Sequence, residues 1–587
     1  MTALCGIIAY SRAFSNYAFY DDEGTMMMTL KRFFDGMPLY DRVGAIYGPA
    51  FYLFEWTMHR FMGLPLSHDS VRFVSVFVWL LTTALAFLIV YKITRSVTVA
   101  ALTHFLVFRT MAFMGTETAH PQEICILLLV AAVFVACYDD KRVFLALSLG
   151  ALSATAFLAK LNLGAMLLLG LSMAAVAALK PSRLQRLTFV AVVSAAVAFP
   201  LVLMRVHLPH GSTLIFWLVA EISIVGAVLA ITRTSVPANL AWRDVAIASA
   251  GFGAVVLLML AFVFAHGTTP GGIVHWTLVL PATRFAQHTA PTPVDDIAFP
   301  VALLGLSLGI YFRVKPRRGA ALAVVKLIFS LAAISSCVFG YQFRLFALAP
   351  SFLWFVILRP EDSHPDGSTF SRMVLACVGV LQILYAYPVG GSQQSVASIL
   401  ILIAAIVCLA DAWSELEAWR PALLRVPSVA LRISVAVCTL ILMADMAVAA
   451  RAYRKYRSLT PLNLAGAARV RLQPQEVEFR QQIVSRALSS CTALLTVPHL
   501  FSFNLFTGLP APERIYSSGM IDLNKAEQEQ IAKEFSRQPR GCILYNEDNL
   551  KFWRHDRDFY SEPLVHLALT DFRTVFEDAG YQLKVRK

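Results

Sequence analysis

The stretch NYAFYDDEGTMMMTLKRFFDGMPLYD, residues 16–41, places the acids Asp21, Asp22 and Glu23 directly after the first apolar run of the chain. The 587 residues are 58% hydrophobic and only 15% charged, with a mean hydropathy of +0.64. A chain of this length and composition is typical of a protein that crosses a membrane many times. The acids therefore stand where the chain leaves its first membrane segment.

Apolar runs of about 20 residues, each long enough to cross a ~30 Å hydrocarbon core, occupy most of the chain after these acids. With a short N-terminal run at 3–20, the runs predict a polytopic α-helical membrane protein with about 14–15 transmembrane helices. The other spans are predicted near 72–93, 97–115, 122–138, 143–159, 163–179, 188–206, 213–232, 244–265, 298–312, 320–338, 342–358, 373–388, 394–410 and 428–449.

Lysine and arginine collect in every second loop, near 92–95, 141–142, 180–186, 233–243, 313–318, 359–372 and 420–425. The short loops between them hold only Lys160, Arg284 and Arg344. Basic loops stay in the cytoplasm. We therefore expect a transmembrane domain over residues 1–450 of a bacterial inner membrane protein, with its 21–70 loop outside the cytoplasm. Residues 451–587 then form a periplasmic or otherwise extracytoplasmic domain.

The net charge of +13 raises the question of nucleic-acid binding. No basic stripe interleaved with aromatic residues is present, so we expect no nucleic-acid partner. No Gly-rich phosphate loop or dinucleotide fingerprint occurs between a strand and a helix either.

The tail after Arg451 has the composition of a soluble domain. CTALLTV (491–497) and GCILYN (541–546) are typical of buried strands, and residues 522–537 and 563–580 are predicted as helices, the second ended by Gly580. With YQLKVR at the end, the pattern favours a small α/β domain. Cys491 and Cys542 pair in an oxidising compartment or stay as two thiols, and the sequence leaves both open.

Adjacent carboxylates repel one another, so Asp21, Asp22 and Glu23 must be solvated, metal-bound or paired with cations. A solvated helix exit is the simplest interpretation. However, residues 25–34 and 50–61 are predicted as amphipathic helices joined by turns, which gives a compact loop at the membrane surface. Further polar residues are predicted on the same side: Glu117, His120, Glu123, Lys160, Arg284 and Arg344.

Charged groups at a membrane are costly and are functional candidates by default. Carboxylates deprotonate hydroxyl groups, and lysine or arginine holds phosphate. The set therefore indicates an enzyme that joins a hydroxyl to a phosphate-bearing substrate.

The motifs DDEG, GMPLYD, YGPAFYLF and RFVSVFVWLL occur in this order, followed by AHPQE, HWTLVLPATRFAQ (275–287) and FRLFALAP (343–350). Together they resemble the membrane glycosyltransferases of the GT-C superfamily. That group includes the protein O-mannosyltransferases and the lipid A aminoarabinose transferases. The resemblance implies a polyprenyl-phosphate-linked sugar as donor and transfer with inversion to a hydroxyl of a lipid, glycan or protein.

Carried over to this chain, the resemblance makes Asp22 the general base, with Glu23 beside it and Asp21 as an additional acid. It implies Glu117 or Glu123 as a second acidic site and Arg284 and Arg344 as ligands of the donor phosphate, with Lys160 as a further phosphate contact. Tyr47, His120 and His275 are other loop candidates, although such histidines are more often satisfied loop residues. The resemblance makes no cofactor certain beyond the polyprenyl-phosphate sugar as donor substrate, and it leaves a divalent metal on Asp21 and Asp22 open.

A transporter or lipid flippase is the main alternative, with the acids as proton or substrate sites. It predicts ionisable residues near the middle of the membrane and two matching halves. An oligosaccharide ligase is a third possibility and depends on a large late loop. The acidic first loop favours the glycosyltransferase.

Overall fold

A computed structural model describes the chain except for a few short segments, and the segments it leaves out are 139, 234–239, 285–293, 315–318, 342–343, 360–367, 389, 420–426, 513–519, 521–522 and 555–557. The remaining residues form a large bundle of apolar helices followed by a small mixed sheet with its own helices.

Ten helices are long and apolar enough to cross a membrane, counted over the described residues. The predicted fold class, a polytopic helical membrane protein with a small C-terminal α/β unit, is confirmed. These ten helices lie within α4 (His68–Thr94), α5 (Val97–Met111, continued by a 3-10 turn), α7 (Arg142–Ala159), α9 (Arg183–Met204), α10 (Gly211–Arg233), α11 (Trp242–Ala265), α15 (Gly319–Val338), α17 (Ser368–Gln382, continued by a 3-10 turn), α18 (Ser392–Trp419) and α19 (Pro427–Ser458).

Shorter apolar helices complete the bundle, namely α6 (Pro121–Ala136), α8 (Leu161–Ala177) and α14 (Ala298–Val314), beside the N-terminal helix α1 (Thr2–Ala13). The predicted span at 342–358 is not one helix where it is described. It divides into α16 (Leu345–Leu348) and a 3-10 helix over Pro350–Val356. Pro350 causes the division, because proline lacks the N–H that a continuing helix needs.

Both amphipathic helices predicted in the first loop are present, as α2 (Asp22–Phe34) and α3 (Pro49–Trp56), which continues as a π-helical turn over Thr57–Phe61. Asp22 and Glu23 lie in the first turn of α2 and Lys31 and Arg32 in its last turn, an arrangement that the helix dipole favours. Most of α2 is buried, so the acidic stretch is a packed element.

Loops that the charge pattern placed on one side of the membrane meet at one end of the bundle. The hydrogen bonds that join them to the 21–70 loop run from Thr118 to Glu23, from Gly48 to Ala159, from Thr269 to Asp41 and from Thr268 to Leu39. A single missed or invented span would have put some of these loops at the opposite end. The contacts therefore agree with the predicted alternation.

The C-terminal segment, residues 460–587, carries a four-stranded sheet in the order β3-β4-β6-β5. A two-stranded ladder, β1 (Thr460–Pro461) with β2 (Arg471–Leu472), precedes it. The strands of the sheet are β3 (Ala493–Val497), β4 (Gly541–Asn546), β5 (Phe572–Asp578) and β6 (Tyr581–Arg586). The helices are α20 (Pro474–Ser490), α21 (Ser502–Thr507), α22 (Lys525–Phe535), α23 (Glu547–Arg554) and α24 (Pro563–Thr570). Strands β3 and β4 are parallel and buried, as their apolar sequences predicted.

The predicted helix over 563–580 is wrong in its second half, where β5 pairs antiparallel with β6. Ala579 and Gly580 have φ values of 47° and 80° and connect the two strands. Two central residues with positive φ form the tight turn that suits a hairpin. Gly580 therefore turns a hairpin, and the helix ends at Thr570. Cys491 and Cys542 form a disulfide between the starts of β3 and β4.

Candidate active site

Lys160 lies between α7 and α8, at the end of the bundle that carries the first loop. Its Nζ donates to the hydroxyl of Tyr385 at 3.2 Å and lies 5.9 Å from the ring centroid of Tyr47. Burial lowers the pKa of Lys160 to about 8, and the carboxylate of Glu117 acts in the opposite direction. The ammonium is therefore a partly buried cation at neutral pH.

Glu117 follows the 3-10 turn after α5 and lies close enough to interact with Lys160. Its Oε1 accepts a hydrogen bond from the hydroxyl of Tyr20 at 3.2 Å. Burial raises the pKa of Glu117, while the hydroxyl groups of Ser392 and Tyr20 and the charge of Lys160 lower it. Glu117 is thus an acid that interacts electrostatically with the partly buried lysine.

His120 caps α6, and its Nδ1 accepts a hydrogen bond from the N–H of Gln122 at 3.3 Å. Its Nε2 therefore carries the proton and donates to the hydroxyl of Tyr47 across 3.0 Å. Burial and the charge of Lys160 lower the pKa of His120 to about 3, so the ring is neutral. The Tyr47 hydroxyl keeps its own proton for another acceptor.

Asp22 is the first residue of α2 and is partly exposed. Burial raises the pKa of Tyr47, and the negative charge of Asp22 raises it further, so this carboxylate lies within electrostatic range of the tyrosine. We call Asp22, Tyr47, Glu117, His120, Lys160 and Tyr385 the Lys160 cluster. It combines two carboxylates, a cation, an imidazole and two tyrosine hydroxyls, contributed by the first loop, by loops between membrane helices and by the 3-10 turn that continues α17.

Asp21 is buried, and hydrogen bonds hold its carboxylate in place. It adopts a left-handed backbone with a φ of 53°, caps α2 and is only 2% exposed. Its Oδ1 accepts from the N–H of Gly24 (3.2 Å) and the hydroxyls of Tyr17 (3.2 Å) and Ser502 (2.5 Å), and its Oδ2 accepts from the N–H of Ser502 (2.8 Å). Burial raises the pKa of Asp21 to about 6, and the Ser502 bonds oppose that rise.

Glu23 is buried in a charged network. Its carboxylate contacts Arg72 through Nε (3.0 Å) and the second terminal nitrogen (2.9 Å), the Nδ1 of His68 (2.7 Å) and the hydroxyl of Thr118. Burial opposes ionisation of Glu23, but the charges and hydrogen bonds of Arg72 and His68 prevail and lower its pKa to about 2. Glu23 therefore remains an anion that stabilises the loop.

Glu123 lies inside α6, where its Oε1 accepts from the indole N–H of Trp79 at 2.8 Å and the residue is 3% exposed. Of the two candidates for the second acidic site, the structure brings Glu117 to Lys160 and packs Glu123 against α4.

The two arginines expected at the donor phosphate are not part of the Lys160 cluster as described. Arg344 is half exposed and its terminal nitrogen lies 3.5 Å from Asp295. Arg284 ends α13 (Leu280–Arg284), and its side chain lies outside the described part of the chain. His275 begins a π-helical turn (His275–Val279) after α12 (Pro270–Val274), where it is exposed with its ring 6.0 Å from Trp276.

Among the described residues, no group of three or more histidine, cysteine, aspartate or glutamate side chains is arranged to hold a metal ion. A metal held by the pair Asp21 and Asp22 stays a prediction. Both oxygens of Asp21 already accept hydrogen bonds from Ser502.

Sequence reasoning did not identify Tyr385, Tyr20 or Ser392 as members of the site. Tyr385 lies in an apolar run 225 positions from Lys160, and Tyr20 lies 97 positions from Glu117. The only sequence signal was a tyrosine at the end of a span, which is also common in aromatic belts at membrane surfaces.

No family model and no curated protein matches this sequence. The structure is similar to ArnT from Cupriavidus metallidurans bound to undecaprenyl phosphate, with a TM-score of 0.49 and 8% identity over 99% of this chain and 96% of that one. It is also similar to an Archaeoglobus fulgidus oligosaccharyltransferase tethered with an acceptor peptide (TM-score 0.40, 9% identity, 100% and 73% of the two chains). A third similar structure is AglB of the same organism with an inhibitory peptide and a dolichol-phosphate (TM-score 0.37, 10% identity, 99% and 70%).

The chain is a multi-pass membrane protein. At these TM-scores and identities the likeness concerns the arrangement of helices alone. The roles of residues proposed below are therefore based on this chain's own contacts.

Proposed function

We propose that the protein is an inverting glycosyltransferase that moves a sugar from a polyprenyl-phosphate-linked donor to a hydroxyl of a lipid, glycan or protein. The observation that carries this proposal is the Lys160 cluster itself. The Lys160 cation bonds the hydroxyl of Tyr385 and lies near the ring of Tyr47, and the partly exposed Asp22 lies within electrostatic range of Tyr47, where membrane helices meet the first loop. A phosphate on a membrane lipid and a sugar at the membrane surface reach such a site together.

The donor phosphate would bind Lys160. The hydroxyl of Tyr47 accepts a hydrogen bond from His120, so its own O–H can donate to a phosphate oxygen. Charge-assisted hydrogen bonds of this kind contribute about 1.5–3 kcal/mol each. Arg284 and Arg344 remain candidates for further phosphate contacts when donor is bound.

Asp22 would be the general base. Its neighbours Asp21 and Glu23 are buried and accept hydrogen bonds from Ser502 and from Arg72 and His68, whereas Asp22 is partly exposed. An acceptor hydroxyl gives its proton to Asp22 while its oxygen forms a bond to the anomeric carbon. The bond from that carbon to the phosphate oxygen breaks, and polyprenyl phosphate leaves from the opposite face. The configuration is therefore inverted.

Glu117 is proposed to orient the acceptor or to set the charge of Lys160, and Glu123 and His275 are proposed to act only through the surrounding structure. The site would lie on the extracytoplasmic face of a bacterial inner membrane. The disulfide between Cys491 and Cys542 is in keeping with an oxidising compartment for residues 451–587.

A transport function would need ionisable groups available inside the membrane. Three of the buried charged groups there are Lys326, Arg372 and Asp411, and both cations contact the one carboxylate at 2.6–2.8 Å. This hydrogen-bonded triad favours a structural role in holding α15, α17 and α18 together. It lends no support to a proton relay.

The test is transfer by the purified protein in nanodiscs, with a panel of polyprenyl-phosphate sugars and membrane lipid extract as acceptor. We expect transfer from at least one donor, its loss in Asp22→Asn and retention in Asp35→Asn. Asp35 is a matched control, because it is an exposed acid at the other end of α2. Full transfer by Asp22→Asn would refute the base assignment, and failure with every donor would refute the function.

A further inference from the structure

The start of α2 is held by the C-terminal segment. Asp21 precedes the proposed base directly and has a left-handed backbone, a conformation that costs energy for a residue other than glycine. Such a conformation persists only where surrounding contacts fix it. Two of the four hydrogen bonds to its carboxylate come from Ser502, which is 481 positions away.

The contact at Gly24 shows how tightly the two segments approach. A Cβ on Gly24 would lie 2.4 Å from the backbone nitrogen of Ser502 and 2.5 Å from its hydroxyl oxygen. The nearest atom belongs to the backbone, so a rotation of the serine side chain cannot make room. Glycine in the first turn of α2 is therefore required by the approach of α21.

Ser502 is itself fixed to the sheet. The neighbouring Asn504 donates to the carbonyl of Leu494 in β3 at 2.9 Å, and the N–H of Leu500 donates to the hydroxyl of Thr496 at 3.0 Å. Strand β3 thereby fixes the position of Ser502, and Ser502 in turn fixes the position of Asp21.

We propose that Ser502 is a positioning residue for catalysis, and that the C-terminal segment completes the active site by fixing the first turn of α2, which carries Asp22. This inference rests on the proposed function and assigns a role to the C-terminal segment. Ser502 touches no reacting atom. It acts through Asp21, whose two carboxylate oxygens it binds.

The first measurement is hydrogen–deuterium exchange of the full-length protein in nanodiscs. The N–H groups of Gly24 and Thr25 bond to Asp21, so Ser502→Ala is expected to speed exchange in a peptide covering 20–27 by tenfold or more. Ser536→Ala is the matched control. The partly buried hydroxyl of Ser536 donates to the carbonyl of Ala532 at 2.7 Å, within its own helix end. It should leave the peptide unchanged. Unchanged exchange in Ser502→Ala would overturn the proposal, whatever the activity.

The second measurement separates positioning from folding. Ser502→Ala is expected to lower kcat about tenfold, with the donor KM within about twofold and the thermal midpoint close to wild type. Ser502→Thr, which keeps the hydroxyl, should recover part of the loss. Gly24→Ala raises helix propensity and would be harmless in a free helix. In this protein its Cβ would collide with the backbone of Ser502, so we expect kcat to fall in this variant too. An unchanged kcat in Ser502→Ala, or a loss explained by unfolding, would overturn the proposal.

Failure of the two proposals can be told apart. Absence of transfer by the wild type overturns the glycosyltransferase function and the catalytic meaning of the contact. Normal transfer with unaltered exchange in Ser502→Ala overturns the positioning role alone.

Discussion

Replacing Glu23 by glutamine should destabilise the protein strongly, whereas Asp22→Asn should not. A carboxyl whose pKa falls from 4.5 to about 2 is stabilised as the anion by about 3 kcal/mol. Removing one partner of a buried ion pair costs about 3–5 kcal/mol in other proteins. Glutamine leaves Arg72, which is 2% exposed, without a compensating charge. Both arguments give a loss of about 3 kcal/mol in the free energy of unfolding.

The assay is the thermal midpoint of each purified variant in the same detergent, measured from pH 7 down to pH 3. Glu23 has a lowered pKa, so its contribution is complete above pH 4.5 and is lost as the pH falls towards about 2. The gap between wild type and Glu23→Gln should therefore be widest near pH 7 and shrink below pH 4.5. We expect a gap on the order of 2–3 °C at pH 7.

Asp22→Asn, measured beside it, should keep a midpoint close to wild type and lose transfer activity. The reasoning would be refuted by a Glu23→Gln variant as stable as wild type at pH 7. It would also be refuted by a destabilised Asp22→Asn variant, since that would make Asp22 the structural acid.

Three further outcomes are expected from contacts and pKa shifts described above. Affinity for polyprenyl phosphate, measured by thermophoresis, should fall above pH 8 as Lys160 loses its proton, and Lys160→Arg should retain affinity to higher pH. Gly48→Ala should lower the thermal midpoint and the transfer rate, because a Cβ would lie 2.0 Å from the carbonyl oxygen of Leu158. Replacing Cys491 and Cys542 by serine opens a crosslink with a sequence separation of 51 and should destabilise the C-terminal segment by about 4 kcal/mol in the chain-entropy treatment, measured by denaturant titration.

Much of the membrane half could be predicted from the sequence because its signals are local and strong. An apolar run of about 20 residues has no alternative to a helix in lipid, and lysine and arginine mark the loops on one side. The exception at 342–358 has an equally local cause in Pro350. The apolar run was long enough to span, but the proline broke it.

The second half of the predicted helix at 563–580 was wrong because its pattern was weak. FRTVFED has no clear helical periodicity and contains the β-branched pair Thr574 and Val575. Its fate as a strand depends on pairing with β6 after a turn at Ala579 and Gly580. A glycine after an apolar run ends a helix or turns a hairpin, and the local sequence does not separate the two.

The candidate site also has features that the sequence predicts and features that it does not. That polar residues gather at one end of the bundle follows from loop alternation, which is local. Which partner each residue takes does not, since Lys160 meets Tyr385 across 225 positions and Asp21 meets Ser502 across 481. Such pairings are set by the packing of helices and by the docking of the C-terminal segment, and neither leaves a pattern in a single chain.

Long-range partners also explain how three adjacent acids coexist. Charges this close would repel and raise one another's pKa if all three faced the same medium. Glu23 is neutralised by Arg72 and His68, and Asp21 is held by N–H and hydroxyl dipoles, so each has its own compensation. The remaining acid, Asp22, then stands at the positive end of α2 with its side chain partly exposed. The acidic stretch therefore needs both the membrane helix that supplies Arg72 and His68 and the C-terminal segment that supplies Ser502.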